Sequence, residues 1–109
     1  MARISTHVLD IARGSPAAGI PVKLFRGLVL IKAVQTNADG RTDEPLLSAD
    51  ALEPGAYDLT FHVADYFRAH GVEAFFPHAT ISFVVDDGTR NYHVPLLVAP
   101  HGYSTYRGS

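Results

Sequence analysis

Turn-forming residues recur so often along this chain that the apolar runs between them are strand-sized. Nine glycines and seven prolines are spread over 109 residues, a punctuation that favours short strands joined by turns. Apolar patterning predicts strands over 4–11, 20–25, 29–36, 56–63, 79–85, 91–99 and 103–107, with a further short strand near 45–47. The turns between them have their own chemistry: Asn37-Ala38-Asp39-Gly40, Glu53-Pro54-Gly55 and Asp86-Asp87-Gly88. One segment reads as helix, Asp65-Tyr66-Phe67-Arg68-Ala69-His70-Gly71, with Asp65 as its N-cap and Gly71 as its stop. The pieces describe an all-β chain, a single-domain β-sandwich with one short helix.

Composition removes several function classes. The formal charge of −2 lacks the basic footprint of a nucleic-acid binder, and no basic run suits an anionic membrane surface. With no cysteine, disulfides, thiolate metal sites and cysteine nucleophiles are excluded. Met1-Ala2-Arg3-Ile4-Ser5 has no apolar signal-peptide core, so a cytoplasmic location is the expectation. No glycine-rich phosphate cradle occurs in Ser15-Pro16-Ala17-Ala18-Gly19, and no G-x-S-x-G elbow supports a serine-hydrolase triad.

Six histidines make imidazole the natural place to look for chemistry. Strand alternation sorts them. Ile4, Thr6 and Val8 share one face, leaving Ser5, His7 and Leu9 opposite; Tyr92, Val94, Leu96 and Val98 form the cleaner apolar face, leaving His93, Pro95 and Leu97 outside. The outer faces thus mix imidazoles with Leu9, Ile11, Pro95 and Leu97, a composition suited to meeting another subunit. His62, His70, His78 and His101 read as structural, and Asp10, Asp65 and the acidic loop residues as caps or solvated groups.

Taken singly, His7 and His93 are what many surface strands carry. Two outward imidazoles on strands of one sheet can orient a water or share a proton; a zinc site is the competing reading, without a clear third ligand. Arg41, after the Asn37–Gly40 turn, can donate paired hydrogen bonds to a developing oxyanion, or can simply be a solvated loop arginine among Asp39, Asp43 and Glu44. The run Gly102-Tyr103-Ser104-Thr105-Tyr106-Arg107-Gly108-Ser109 reads either as an edge strand whose tip enters a polar site or as a strand with a loose end.

These same residues carry a family pattern. Ser5-Thr6-His7-Val8-Leu9-Asp10, Thr36-Asn37-Ala38-Asp39-Gly40-Arg41, Tyr92-His93-Val94-Pro95-Leu96-Leu97 and Tyr106-Arg107-Gly108-Ser109 fall in one order, and the chain resembles the transthyretin-related 5-hydroxyisourate hydrolases. The resemblance implies a transthyretin-like sandwich of two four-stranded sheets with one short helix. It implies a homotetramer with active sites where dimers meet, and no metal or organic cofactor. It implies catalytic roles for His7, Arg41, His93 and Ser109, and substrate contacts from those four together with Tyr106, Arg107 and Gly108. The implied reaction opens 5-hydroxyisourate to 2-oxo-4-hydroxy-4-carboxy-5-ureidoimidazoline in urate degradation. In it the two histidines activate water, Arg41 holds the oxyanion and the tail closes the polar wall. Departures from the pattern are a short connection at Phe25-Arg26-Gly27-Leu28-Val29, and Asn91 and His101, expected to affect rim contacts only. A transthyretin-like carrier of an apolar ligand and a purely structural sandwich are the alternatives; a carrier calls for apolar channel walls.

Overall fold

A computed structural model describes the whole chain, Met1–Ser109. The strands are β1 (Ala2–Asp10), β2 (Ser15–Pro16), β3 (Pro21–Arg26), β4 (Val29–Gln35), β5 (Leu47–Ala49), β6 (Gly55–Phe61), β7 (Ala79–Val85), β8 (Tyr92–Ala99) and β9 (Gly102–Thr105); a single helix α1 (Ala64–Ala69) lies between β6 and β7. One sheet runs β4-β3-β6-β7. The other runs β2-β1-β8-β9, with β5 also pairing β1. The sandwich is as expected, but this second sheet has five strands rather than four. Strand β2, absent from the strands expected from patterning because two residues are too few to alternate, pairs through Leu9↔Pro16 and Asp10↔Ser15. Strand β5 lies at Leu47–Ala49, two residues beyond the expected 45–47, because its pairing with Ala2–Ile4 of β1 sets its limits. No helix is long and apolar enough to cross a membrane.

The two sheets bury their facing side chains against each other. Ile4, Val8, Leu96 and Val98 come from one sheet and Val22, Leu24, Leu59 and Phe61 from the other, all fully buried. Burial of each such side chain contributes about 1.5–3 kcal/mol relative to exposure. The alternation read from the sequence holds in β1 and, with one exception, in β8: Pro95, expected outside, is buried in the middle of β8, which lies between β1 and β9. In β1, Arg3, Ser5, His7 and Leu9 face away from the core, and in β8 so do His93 and Leu97. The short link between β3 and β4 is a two-residue hairpin, Arg26 pairing Val29 across Gly27-Leu28. Gly27 has φ +60° and no non-glycine residue has positive φ, the signature of a type II′ turn, whose twist matches its flanking strands.

Two local expectations are corrected. Asp65 does not cap α1. Val63 occupies that position without a side-chain cap, and Asp65, inside the first turn, pairs instead with Arg68 at 2.8 Å. Gly71 ends the helix as expected, with φ +76°. Asp10 is not solvated. The core-facing phase of β1 carries it inward, where it is 1% exposed. Its Oδ1 accepts the Ala12 and Arg13 amides at 3.0 Å each, and its Oδ2 accepts the Tyr66 hydroxyl at 2.8 Å. The carboxylate therefore ties the turn after β1 to α1. Burial, reinforced by the bond to Asp10, pushes the Tyr66 phenol up to about 12. His62 is structural as expected, with Nε2 buried and unpartnered; burial first, then the charges of Lys23 and His78, lowers its pKa.

Removing one donor from a buried carboxylate is costly because the other groups cannot replace it. Tyr66→Phe is expected to lower stability by about 1.5–3 kcal/mol, measured as a shift in the urea unfolding midpoint; an unchanged midpoint would show that Asp10 does not need the phenol.

Candidate active site

Strands β1 and β8 run parallel with Ser5 opposite His93 and His7 opposite Pro95. Because side chains alternate in each, this register places Ser5, His7 and His93 on one outward face, the two imidazoles diagonal to each other. Ser5 Oγ lies 2.9 Å from His93 Nδ1, so one ring nitrogen is engaged by the sheet and Nε2 remains for another partner.

Arg41 reaches this face through a loop stapled to β1. Asn37 organises it: its Oδ1 accepts the Asp39 and Arg41 amides at 2.9 and 3.2 Å, and its backbone N–H donates to the Arg41 carbonyl at 2.7 Å. Gly40 joins the loop to the sheet, accepting the Val8 amide at 2.7 Å. Its φ is +75°, and a Cβ there would lie 2.3 Å from the Val8 carbonyl oxygen, so only glycine permits the approach. His7 Nε2 is 2.9 Å from the Asp39 carbonyl. A carbonyl only accepts, so Nε2 carries the proton and, in the neutral ring, Nδ1 holds the lone pair.

The tail closes the third side. The Gly108 amide donates to the His93 carbonyl at 2.8 Å, forming an isolated antiparallel bridge. A Cβ on Gly108 would lie 2.5 Å from His93 Cδ2, so the absence of a side chain is what lets the backbone lie against the imidazole. The 102–109 run is thus an ordered strand followed by a docked tip.

Arg3, Ser5, Arg41, Asn91, His93 and Ser109 surround a cavity of about 330 Å³ with no hydrophobic residue in its wall. Neither Arg3 nor Arg41 has a carboxylate partner within 4.0 Å. An adjoining cleft shares Arg3, Ser5 and Arg41 and continues to Thr42, Asp43 and Glu44. His93 has a lowered pKa, first from burial and then from the positive charges of Arg41 and His7, with a hydrogen bond to Ser5 opposing. The ring is neutral at neutral pH, in the form that accepts a proton. No group of three or more His, Cys, Asp or Glu side chains of the chain is placed to hold a metal ion.

Of the sequence-derived residues, Arg41, His93 and Ser109 share the cavity, Gly108 bonds to His93, and His7 stands beside them on the same sheet face. Tyr106 and Arg107 lie elsewhere. They line an apolar cleft of about 310 Å³ with Ile81, Phe83 and Val94. Strand β9 ends at Thr105, so the four tail residues are not bound to a strand's alternation, and Tyr106 and Arg107 fall in one cleft while Ser109 falls in the other. Sequence reasoning missed Arg3 and Ser5, although both occupy the outward phase of β1 that singled out His7. Asn91, expected only at the rim, is in the cavity wall, and its Oδ1 accepts the Arg3 amide at 3.1 Å.

The chain is similar to several known proteins. A 5-hydroxyisourate hydrolase 2 from Rhizobium meliloti (strain 1021) is 47% identical over 98% of this chain and 96% of its own length. A solved 5-hydroxyisourate hydrolase from Klebsiella pneumoniae is 41% identical, covers both chains fully and superposes with a TM-score of 0.90. Transthyretin from Sparus aurata, 24% identical over 99% of this chain and 97% of its own, superposes with a TM-score of 0.89 and shares the fold. The family model described as the HIUase/Transthyretin family matches residues 4–108, the span that holds both parallel strands, the Arg41 loop and the tail as far as Gly108, and the chain belongs to that family.

Proposed function

We propose that this chain hydrolyses 5-hydroxyisourate, the substrate named in its relatives. The observation that carries the reading is a wholly polar cavity with Arg41, His93 and Ser109 in its wall, the His93 ring having its pKa lowered chiefly by burial. A water held between His7 and His93 gives up a proton as its oxygen attacks the ring carbonyl carbon. Arg41 donates to the carbonyl oxygen as negative charge gathers there. The carbon–nitrogen bond then breaks as the nitrogen takes the proton that the imidazole pair removed from the water, and an opened ring with a new carboxylic acid remains, one water having been added; the acid then releases its own proton to solvent. Ser109 and the Gly108 backbone complete the wall around the planar heterocycle. Each donor aimed at the oxyanion supplies roughly 10²–10³ in rate, and general base catalysis roughly 10²–10⁴. Transthyretin-like carriage of an apolar ligand is not favoured, since the wall around His93 contains no hydrophobic side chain. The assembly that suits this reading is a homotetramer, a dimer of dimers meeting across the outward face of β1 and β8.

The direct test generates 5-hydroxyisourate in place from urate and urate oxidase and follows its ultraviolet decay. The chain should accelerate decay, and His7→Ala, His93→Ala and Arg41→Ala should each lose about 10²-fold or more; decay at the buffer rate would reject the hydrolase reading. Gly108→Ala should also lose most activity, because the added methyl must push the His93 ring aside. Since the lowered His93 pKa keeps its neutral form down to mildly acidic pH, the acid limb of kcat/KM should fall below the ordinary imidazole midpoint of about 6.5. A limb above that value would assign the base elsewhere. Light scattering at micromolar concentration should give four times the monomer mass; a clean monomer would contradict an interfacial site.

A further inference from the structure

The tail tetrapeptide divides into two pairs of residues with different surroundings. Gly108 and Ser109 meet His93 and the polar cavity. Arg107 turns away from that cavity, and its guanidinium carbon sits 4.5 Å from the centroid of the Tyr92 ring. Tyr92 is 3% exposed, so its ring cannot move independently of the core. Its hydroxyl donates to Asp86 Oδ1 at 2.6 Å and accepts the Asp87 amide at 3.0 Å. Ring and turn therefore form one fixed anchor at the start of β8, one residue before His93. Asp86 faces the same way: its carboxyl is held below the usual range, chiefly by the Tyr92 hydroxyl, with the Arg107 charge adding to the effect. Arg107 has no carboxylate within 4.0 Å, which leaves the aromatic face as its closest charge-complementary contact.

We propose that Arg107 is a positioning residue, clasped on the Tyr92 ring so that Gly108 and Ser109 close against His93, and that it does not touch substrate. The chain geometry explains why a clasp is needed there. Strand β9 ends at Thr105, and beyond it the single Gly108–His93 bridge is the tail's only backbone tie to the sheet. One hydrogen bond at a strand end frays readily. A cation held over the neighbouring ring, on the residue just before the bridge, restricts that fraying. A cation–π contact of this kind shifts such an opening equilibrium by about 3- to 30-fold. The site then has its geometry set from Tyr92, adjacent in sequence to His93 but pointing to the opposite face of β8.

The inference rests on the hydrolase reading only for its kinetic arm. Amide exchange at Gly108 and the His93 titration are measured by NMR on the full chain without substrate, for the wild type, Arg107→Gln and Arg107→Lys. In Arg107→Gln the Gly108 amide should exchange about 3- to 30-fold faster. The His93 titration should move up toward the ordinary imidazole value, because a loosened tail readmits water to a ring whose pKa is lowered mainly by burial. Arg107→Lys keeps a cation over the ring and should fall between the two. With 5-hydroxyisourate, Arg107→Gln should lower kcat by about tenfold while KM stays within about twofold. Unchanged Gly108 exchange and His93 titration would overturn the clasp, and a rise in KM alone would make Arg107 a substrate contact instead. A wild type without hydrolase activity, whose Gly108 is nonetheless freed by Arg107→Gln, would reject the hydrolase reading and leave the clasp standing.

Discussion

The register of β1 on β8 decides nearly everything else about this molecule. With Ser5 opposite His93, the outward phases of the two strands coincide, and the inward phases deliver Ile4, Val8, Leu96 and Val98 to the core together. A slip of one residue would exchange those faces, burying imidazoles and exposing aliphatics. The hydrophobic effect therefore fixes the site indirectly. It cannot recognise His7 or His93, but it holds their neighbours so firmly that the polar residues have one place to go. The pair is parallel within otherwise antiparallel sheets, so its ends cannot be joined by a tight hairpin. The four-stranded sheet, β4-β3-β6-β7, is built in the intervening chain.

The loop that carries Arg41 is pinned by backbone rather than by side-chain burial. Asn37 gathers the amides of Asp39 and Arg41, and Gly40 lies so close to Val8 that no larger residue fits. The cost of ordering a loop is offset locally, and Arg41 itself is spared any ion pair. An arginine already matched to a carboxylate would have little left for a substrate oxygen. Asp39, Asp43 and Glu44 are near in sequence, yet Asp43 accepts from Asn37 and Asp39 presents its carbonyl to His7.

Much of this was legible beforehand because strand alternation is a strict period-two signal. The seven main strands, the outward setting of His7 and His93 and the Gly71 stop all follow from residue order. What was not legible depends on tertiary partners. Strand β2 has two residues and exists only because Leu9 and Asp10 offer an edge. Asp65 has the chemistry of a cap, but the helix begins at Ala64, which puts Val63 in the cap position. Asp10 reads in the sequence as a cap or a solvated group, and it does cap the turn after β1. Its burial comes from continuing the β1 phase one step further and from Tyr66, 56 positions away. The separation of Arg107 from Ser109 is likewise invisible in the string Tyr106-Arg107-Gly108-Ser109, which reads as one motif although its halves face different clefts.

The two chain ends are unequal as points of attachment. Met1 projects into solvent, 83% exposed, whereas Ser109 forms part of the polar cavity wall. A purification handle or fluorescent fusion joined ahead of Met1 begins in open water. One joined after Ser109 starts from an exposed residue in the cavity wall itself, so that the same label, moved from one end to the other, crowds the mouth of the pocket.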